Sequence, residues 1–326
     1  MLLSVPCCMR LTRYLFMTMD FRLANLQEKM SHPAGGLCHA FSIEGRKGNP
    51  ALVLVSEGQD NNVDDVFCAR LSADFGYEVT WVQQMQSSSP FALRYFNAGA
   101  EIGFCGHGTL AAAAWLARFR GTPSPISFLA SGQTVIVEQT GPDYWAYRQA
   151  AFDFDPISDA SVACDLPEAL GLQGVGATEA HAIAVFRTQG ALRNKLVVAF
   201  ADHHQLADIH IRAALRDSLC DRLQLTGVYV FARVSEGREV DLLARHFPIH
   251  ASDQEDMATA AIAPSVARYV VSGAGTLTGV VRIFQGGKQC DQALLVVSQS
   301  EASDVWHVGG QVSTPRFSEI DKMWAD

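Results

Sequence analysis

The stretch Tyr95–Phe119, "YFNAGAEIGFCGHGTLAAAAWLARF", decides how this chain is read. Leu110 to Leu116 is strong helix-forming sequence, because alanine and leucine lose little conformational freedom in a helix. Gly106-His107-Gly108, directly before it, is poor helix material. The junction predicts a helix N-terminus with little side-chain cover. Such an end carries free backbone N–H groups and a partial positive charge. It suits a carboxylate or phosphate, and a histidine held there can move protons beside the bound anion.

Working outward, the 326 residues are 48% hydrophobic and 18% charged, a composition that suits a compact soluble protein of two domains. The formal net charge is −9 and no long Lys/Arg block occurs, which argues against a nucleic-acid partner. Eight cysteines are scattered without CxxC spacing and read as reduced cytosolic thiols, each first of all a small buried hydrophobe. Metal-ligand spacing is absent. The one close pair, His203-His204, has polar neighbours and reads as a solvated loop. The opening "MLLSVPCCMRLTRYLFMTM" is interrupted by Arg10 and Arg13 and lacks a clear apolar run leading to a small-residue cleavage site, so it is expected to be neither a membrane span nor a signal peptide. Residues 1–36 are expected to form a poorly ordered extension, with Met30 as an alternative start. A cytoplasmic protein without a membrane partner is expected.

From Leu37 the pattern turns regular. "LCHAFSI" and "PALVLV" predict strands, and "NNVDDVFCARLSADFG" predicts a helix capped by Asn61 or Asn62 and stopped by Gly76. "YEVTWVQ", "FALRYF", "ISFLA", "TVIVEQ" and "YWAYRQ" follow as strands around the alanine-rich helix. The stretch 152–180 is rich in turn formers and reads as a crossing between domains. A second series comprises the strand "KLVVAFA", the helix "HIRAALRDSLCDRL", the strands "GVYVFARV" and "VDLLARHFPI", and the helix "ATAAIAPSVARYVV". Pro264 is tolerable in that helix only near its first turn or at a kink. "LTGVVRIFQGG", "ALLVVSQ" and "VWHVGGQV" complete the strands.

The two series are alike. "RYFNAGAEIGFCGHGTLAAAAWL" and "RHFPIHASDQEDMATAAIAPSVARYV" both run from an Arg-aromatic-Phe or Arg-His-Phe strand through an irregular loop and a threonine into an alanine-rich helix. Thr109 and Thr259 are equivalent. This repeat predicts an α+β chain of two pseudo-symmetric domains. The expected domains are 37–155, with a strand returning near 304–314, and 156–303, followed by a tail over 315–326. A pseudo-twofold would bring both helix N-termini to one cleft, with His107 near Asp256.

At these residues the sequence resembles the PhzF-like (phenazine biosynthesis-like) proteins, which share the diaminopimelate epimerase-type fold. The matching pieces are "AFSIEGRKGNPALVLV", "LSADFGYEVTWV", "RYFNAGAEIGFCGHGTLAAAAWL", "RHFPIHASDQEDMATAAIA" and the Gly-Gly of "WHVGGQV", spanning about Cys38 to Val312. The resemblance implies two barrel-like sheets, each around a central helix, and a site without cofactor or metal. It also implies a small-molecule substrate and a homodimer, as members often form. The best-understood member isomerises a dihydro-hydroxyanthranilate by moving a proton along a conjugated system. Carried over by motif, the catalytic residues are Glu78, His107 and Asp256. Gly106, Gly108, Thr109, Tyr77, Thr259 and Gly286 are the substrate-binding candidates, with Phe104 and Tyr77 closing the cleft or belonging to the core.

Each residue also has a plainer reading. Glu78 alternates with Tyr77, Val79 and Trp81 along a strand, so it is either a hydrogen-bonded strand glutamate or an acid/base whose pKa apolar surroundings raise. His107 is a capping side chain or a proton shuttle. Asp256 is a helix N-terminal acid or a partner for a substrate amine and for His107. Thr109 doubles as a candidate N-cap, and the N–H groups of Gly106 to Thr109 as a carboxylate cradle.

The sequence also departs from the family pattern. Tyr77-Glu78-Val79 stands where the family reads Ser-Glu-Thr, "EDMATAAI" where it reads EDPxTGSA, and "KQCDQA" where a Gly-Arg-Pro-Ser segment is expected. A proton-moving isomerase leads. A related cyclisation, elimination or epimerisation stands beside it, as does an idle small-molecule-binding homologue. A two-thiol racemase fits poorly, because Cys105 has no cysteine opposite it in Asp256 to Ala261.

Overall fold

The structure, a computed structural model, describes residues 35–46, 48–57, 64–84, 90–172, 182–189, 194–234, 240–251, 253–273, 279–287, 292–299 and 305–314. The expected N-terminal extension, Asn61, Asn62 and the tail from 315 lie outside them. The chain divides into two compact units. One holds Pro50–Ile136 with the chain ends, Met1–Cys38 and Ser313–Asp326. The other holds His39–Asn49 and Val137–Val312.

In the first unit, β2 (Asn49–Glu57) runs parallel to β3 (Glu78–Gln84), β3 antiparallel to β4 (Phe91–Asn97), and β4 parallel to β6 (Ile126–Ala130). The short β5 (Ala100–Ile102) folds back on β4. Helix α1 (Asp65–Phe75) joins β2 to β3, and Leu52, Leu54, Cys68, Leu71, Val79, Trp81 and Phe96 form the core beneath it. Its cap is Asp64, whose carboxylate accepts from Phe67 N at 2.7 Å, so the cap lies two or more residues beyond the asparagines the sequence suggested. Gly76 ends it in the left-handed conformation, as expected.

Helix α2 (Gly106–Arg120) is the alanine-rich helix. Every residue from His107 to Leu116 is buried, which small side chains permit on all faces at once. Gly121 closes it, and Arg118 and Arg120 sit in its last turn, where cations complement the helix dipole. Its start lies against β3. A Cβ on Gly108 would stand 2.1 Å from Thr80 Oγ1 and 3.0 Å from Cys105 Sγ, so only glycine lets the first turn approach the strand.

In the second unit, β11 (Leu196–Phe200) runs parallel to β12 (Gly227–Arg233), β12 antiparallel to β13 (Val240–Pro248), and β13 parallel to β14 (Val280–Gln285). The order of senses is the same as in the first unit. Helices α4 (Ala213–Leu223) and α5 (Ala263–Gly273) fall where α1 and α2 fall there. This repeat is the two-part α+β architecture read from the sequence. The sheet extends from β14 through β15 (Ala293–Gln299) and β16 (Val305–Ser313) to β8 (Tyr144–Ala150), and from β11 through β10 (Ala182–Gln189) to β9 (Asp153–Pro156). Strand β7 (Gln133–Gly141) pairs with β8, and β1 (Gly35–Ser42) pairs with both β2 and β16.

Two stretches of the second unit differ from the sequence reading. The turn-rich stretch 152–180 contains β9 and a helix, α3 (Ala160–Ala169), which Asp159 caps through Ser161 N at 2.8 Å. Val162, Leu166 and Ala169 bury one face of α3, and this tertiary packing overrides the turn-forming composition. His203-His204 is a 3-10 turn (His203–Leu206) whose start Asp202 caps at His204 N, 2.9 Å. Pro264 falls in the first turn of α5, where it removes no helical hydrogen bond.

Candidate active site

The first unit gathers Glu78, Cys105 and His107. Glu78 opens β3 on the face opposite Val79 and Trp81, and that face meets the start of α2. The helix start is not bare, as the sequence suggested. Cys105 caps it, its sulfur accepting from Gly108 N at 3.2 Å. Thr109 is inside the helix rather than its cap. It is fully buried, and its hydroxyl donates to Cys105 O at 2.8 Å and lies 2.7 Å from Tyr95 Oη.

His107 turns back toward the strand, and its Nε2 pairs with Glu78 Oε2. Asn97 Nδ2 donates to the other carboxylate oxygen at 3.2 Å. The Cys105 thiol donates to Glu78 Oε2 at 3.8 Å. Burial works against a charge on His107, yet the sulfur of Cys105 and the carboxylate of Glu78, through charge and hydrogen bonding, hold its pKa well above the ordinary imidazole value. Burial and the charge of Glu78 push the Cys105 thiol up. The three groups thus compete for protons within one hydrogen-bonded cluster.

The donor atoms of Glu78, Cys105 and His107 all lie within 4.8 Å of one another, so a metal has to be considered. Cys105 Sγ is 3.4 Å from Nδ1 and 3.6 Å from Nε2 of His107. Being nearly equidistant from both nitrogens, the sulfur lies beside the ring and off the lone-pair axis of either. A metal on one nitrogen sits on that axis, and a sulfur on the same tetrahedral metal would stand far from the other nitrogen. The arrangement shares protons. A second group, Asp202, His203 and His204, is largely exposed.

The substrate-binding candidates of this unit fall around the same turn. The N–H groups of Gly108 and Thr109 are engaged by Cys105, which leaves those of Gly106 and His107, whose first-turn positions have no intrahelical acceptor. Tyr77 is half-buried directly before β3, and Phe104 packs edge-on against Tyr95, their ring centroids 5.9 Å apart.

The second unit holds Asp256 in a network of its own. Its carboxylate accepts from Thr259 Oγ1 at 2.8 Å, from Asn49 Nδ2 and Ala258 N at 3.3 Å each, and from His246 Nδ1 at 3.2 Å. Gln285 completes the network, donating to Asp256 O at 2.7 Å and to Thr259 Oγ1 at 2.9 Å, and accepting from Thr259 N at 3.1 Å. His246 is buried. Burial, reinforced by the charges of Lys195 and Arg216, outweighs the bond to Asp256 and lowers its pKa to about 4. The contact with Asp256 is therefore a neutral hydrogen bond and not an ion pair. Gly286 follows Gln285, and its N–H is committed to Ala244 O at 3.0 Å.

Asn97 in the first unit, and Asn49, His246 and Gln285 in the second, were not among the sequence candidates, and Cys105 was weighed only as a racemase thiol. His246 carried a signal: it occupies the place of Tyr95 in the Arg-x-Phe repeat. The two asparagines and Gln285 had none beyond their neighbourhood.

The sequence model of the phenazine biosynthesis-like proteins, PhzC-PhzF, matches residues 38–311. The chain belongs to this family. Solved structures of family members have the same fold. A PhzF family protein of Enterococcus faecalis is 19% identical with a TM-score of 0.69, and a Pseudomonas aeruginosa protein described as a predicted epimerase is 21% identical, also at 0.69. In both cases the likeness covers 86% of this chain and 96% of the other. A probable proline racemase of Agrobacterium radiobacter is 11% identical at a TM-score of 0.50, covering 90% and 98%. At such identities the likeness establishes the PhzF-type fold. No curated protein matches. Among the described residues, no helix is long and apolar enough to cross a membrane.

Proposed function

We propose that this PhzF family member is a cofactor-independent isomerase that moves a proton on a small carboxylate- or amine-bearing substrate. The observation that carries the reading is the Glu78–His107 pair. Glu78 is bonded to His107 and to Asn97, while 21% of its side chain stays open to solvent. It is the group that takes a proton from substrate carbon and returns it at a second position. His107, bonded to the same oxygen, exchanges protons with it. Proton transfer by a placed side chain is worth about 10² to 10⁴ in rate. The first-turn N–H groups of Gly106 and His107 suit the substrate carboxylate. In the second unit Asp256, held by Thr259, Asn49, Ala258 and His246, is an acceptor suited to an amine. The family membership agrees with proton transfer at carbon.

The test is solvent-deuterium incorporation followed by NMR. The protein is incubated in D₂O with dihydro-hydroxyanthranilate and a panel of cyclic and amino-acid carboxylates, beside Glu78→Gln. Label entering one compound at carbon, and lost in the variant, is the expected result. Exchange that survives in Glu78→Gln removes Glu78 from its role. No label in any compound, with the protein folded, counts against an isomerase of this substrate class.

A further inference from the structure

The hydrogens around Thr259 can be assigned one by one. Its hydroxyl has a single proton, and Asp256 Oδ2 at 2.8 Å, as a carboxylate, can only accept it. Gln285 is oriented by Thr259 N, which donates to its Oε1, so its Nε2 donates to Thr259 Oγ1. One further contact to Thr259 Oγ1 is His246 Nδ1 at 2.9 Å. With the hydroxyl proton given to Asp256, that contact forms only if Nδ1 carries a hydrogen, which it shares with Asp256 Oδ2 at 3.2 Å. Nε2 of the same ring is buried and has no hydrogen-bond partner among the described residues. A Cβ on Gly227 would stand 2.9 Å from it. A hydrogen on Nε2 would thus be a buried donor with no acceptor, and beside an Nδ1–H it would also be a buried charge; both are costly.

We propose that His246 is a positioning residue for Asp256: a neutral imidazole, hydrogen-bearing at Nδ1, that acts through Thr259 to lock the Asp256 carboxylate as a pure acceptor. The inference rests on the role given to Asp256 above. Nothing in the Arg-x-Phe pattern demands a histidine here, since the first half carries Tyr95 at the equivalent place. The charged and titratable groups facing the ring are Asp256 in the loop before α5, Tyr229 opposite it on β12, Lys195 before β11 and Arg216 of α4. The two cations oppose a third positive charge. Tyr229 cannot supply one, and its phenol is itself held neutral by burial and by the charge of Asp256.

Two measurements test this without needing a substrate. In protein labelled with ¹⁵N-histidine, the two-bond proton–nitrogen pattern of His246 reports which nitrogen carries hydrogen. The Nδ1–H pattern, unchanged between pH 6 and pH 8, is expected. An Nε2–H pattern, or protonation near the ordinary imidazole pKa of about 6.5, overturns the proposal. The second measurement follows the Asp256 carboxyl ¹³C signal through a pH titration. His246→Asn keeps a donor at the place of Nδ1 and should leave that titration near wild type. His246→Gln places its donor at the Nε2 side and should shift the titration upward, as should His246→Leu. Equal behaviour of the Asn and Gln variants sinks the idea.

Once a substrate is found, the Leu and Gln variants should lose up to about a hundredfold in kcat, with KM little changed and the Asn variant rescued. Absence of any activity in the wild-type protein bears on the isomerase reading. The tautomer and the ¹³C titration still decide the positioning role.

Discussion

Tyr95 Oη and Thr109 Oγ1 lie 2.7 Å apart, and the second half of the chain makes the same link between His246 and Thr259 at 2.9 Å. In each case the residue between arginine and phenylalanine on a strand grips the threonine that leads into the buried helix. The flanking pair repeats as well. Arg94 lies over the Phe96 ring at 5.4 Å, and Arg245 over the Phe247 ring at 4.9 Å. The two histidine–carboxylate contacts nevertheless shift their histidines in opposite directions. The pKa of His107 is pushed up beside Cys105 and Glu78, and burial pushes that of His246 down beside Asp256. Duplicated scaffolding thus carries two different proton inventories, and these make separate predictions.

His107 titrates above its unfolded value, so its contribution to stability is complete below pH about 6.5 and is lost as pH rises through the folded pKa. Glu78→Gln removes the carboxylate partner. Urea unfolding of wild type and variant should therefore differ most near pH 6, with the gap closing as pH rises through the raised pKa of His107. A gap that widens with rising pH would mean that His107 is neutral in the folded protein.

His246 runs the other way. Its folded pKa of about 4 lies below the unfolded value near 6.5, so between these limits the unfolded chain binds a proton that the folded one refuses. Stability should fall by roughly 3 kcal/mol as pH drops through that window, at about 1.4 kcal/mol per unit, and level off below it. His246→Asn has no such group. Calorimetry of the two proteins from pH 7 to pH 4 should show the wild-type protein losing the extra increment. Parallel curves would place the His246 pKa near its ordinary value.

The scaffold was legible in the sequence because its signals are periodic. Apolar alternation marked most of the strands, and the alanine run marked α2. The paired Arg-x-Phe segments marked the repeat. His107 was singled out as a candidate by the Gly-His-Gly junction, and Glu78 and Asp256 as candidates only through the family motif. The details of the site were not, because they depend on contacts distant in sequence. Asn49 reaches Asp256 from 207 residues away, and Gln285 reaches Thr259 from 26. No local pattern distinguishes such residues from surface amides. Helix α3 was missed for a related reason: its one buried face is defined by the core that receives it. Cys105 was read as a buried hydrophobe, which it is, but its sulfur also takes the capping position usually held by Ser, Thr, Asp or Asn.

Gly108 makes the close approach of α2 to β3 testable. Its absent Cβ would stand 2.1 Å from Thr80 Oγ1, the end of a short, β-branched, fully buried side chain with no room to turn away. Gly108→Ala should therefore destabilise the protein by roughly 1–3 kcal/mol, despite the better helix propensity of alanine. The same oxygen has no hydrogen-bond partner among the described residues. Replacing a buried, unpartnered hydroxyl by a methyl of similar shape removes a desolvation cost, so Thr80→Val alone should be neutral or stabilising. The two changes are coupled through one contact. Thr80→Ala shortens the opposing side chain and should recover most of the Gly108→Ala loss, giving a double-mutant coupling of about 1 kcal/mol or more in urea unfolding. Strict additivity of the two substitutions would mean that the start of α2 stands farther from β3, and would loosen the placement of His107 against Glu78.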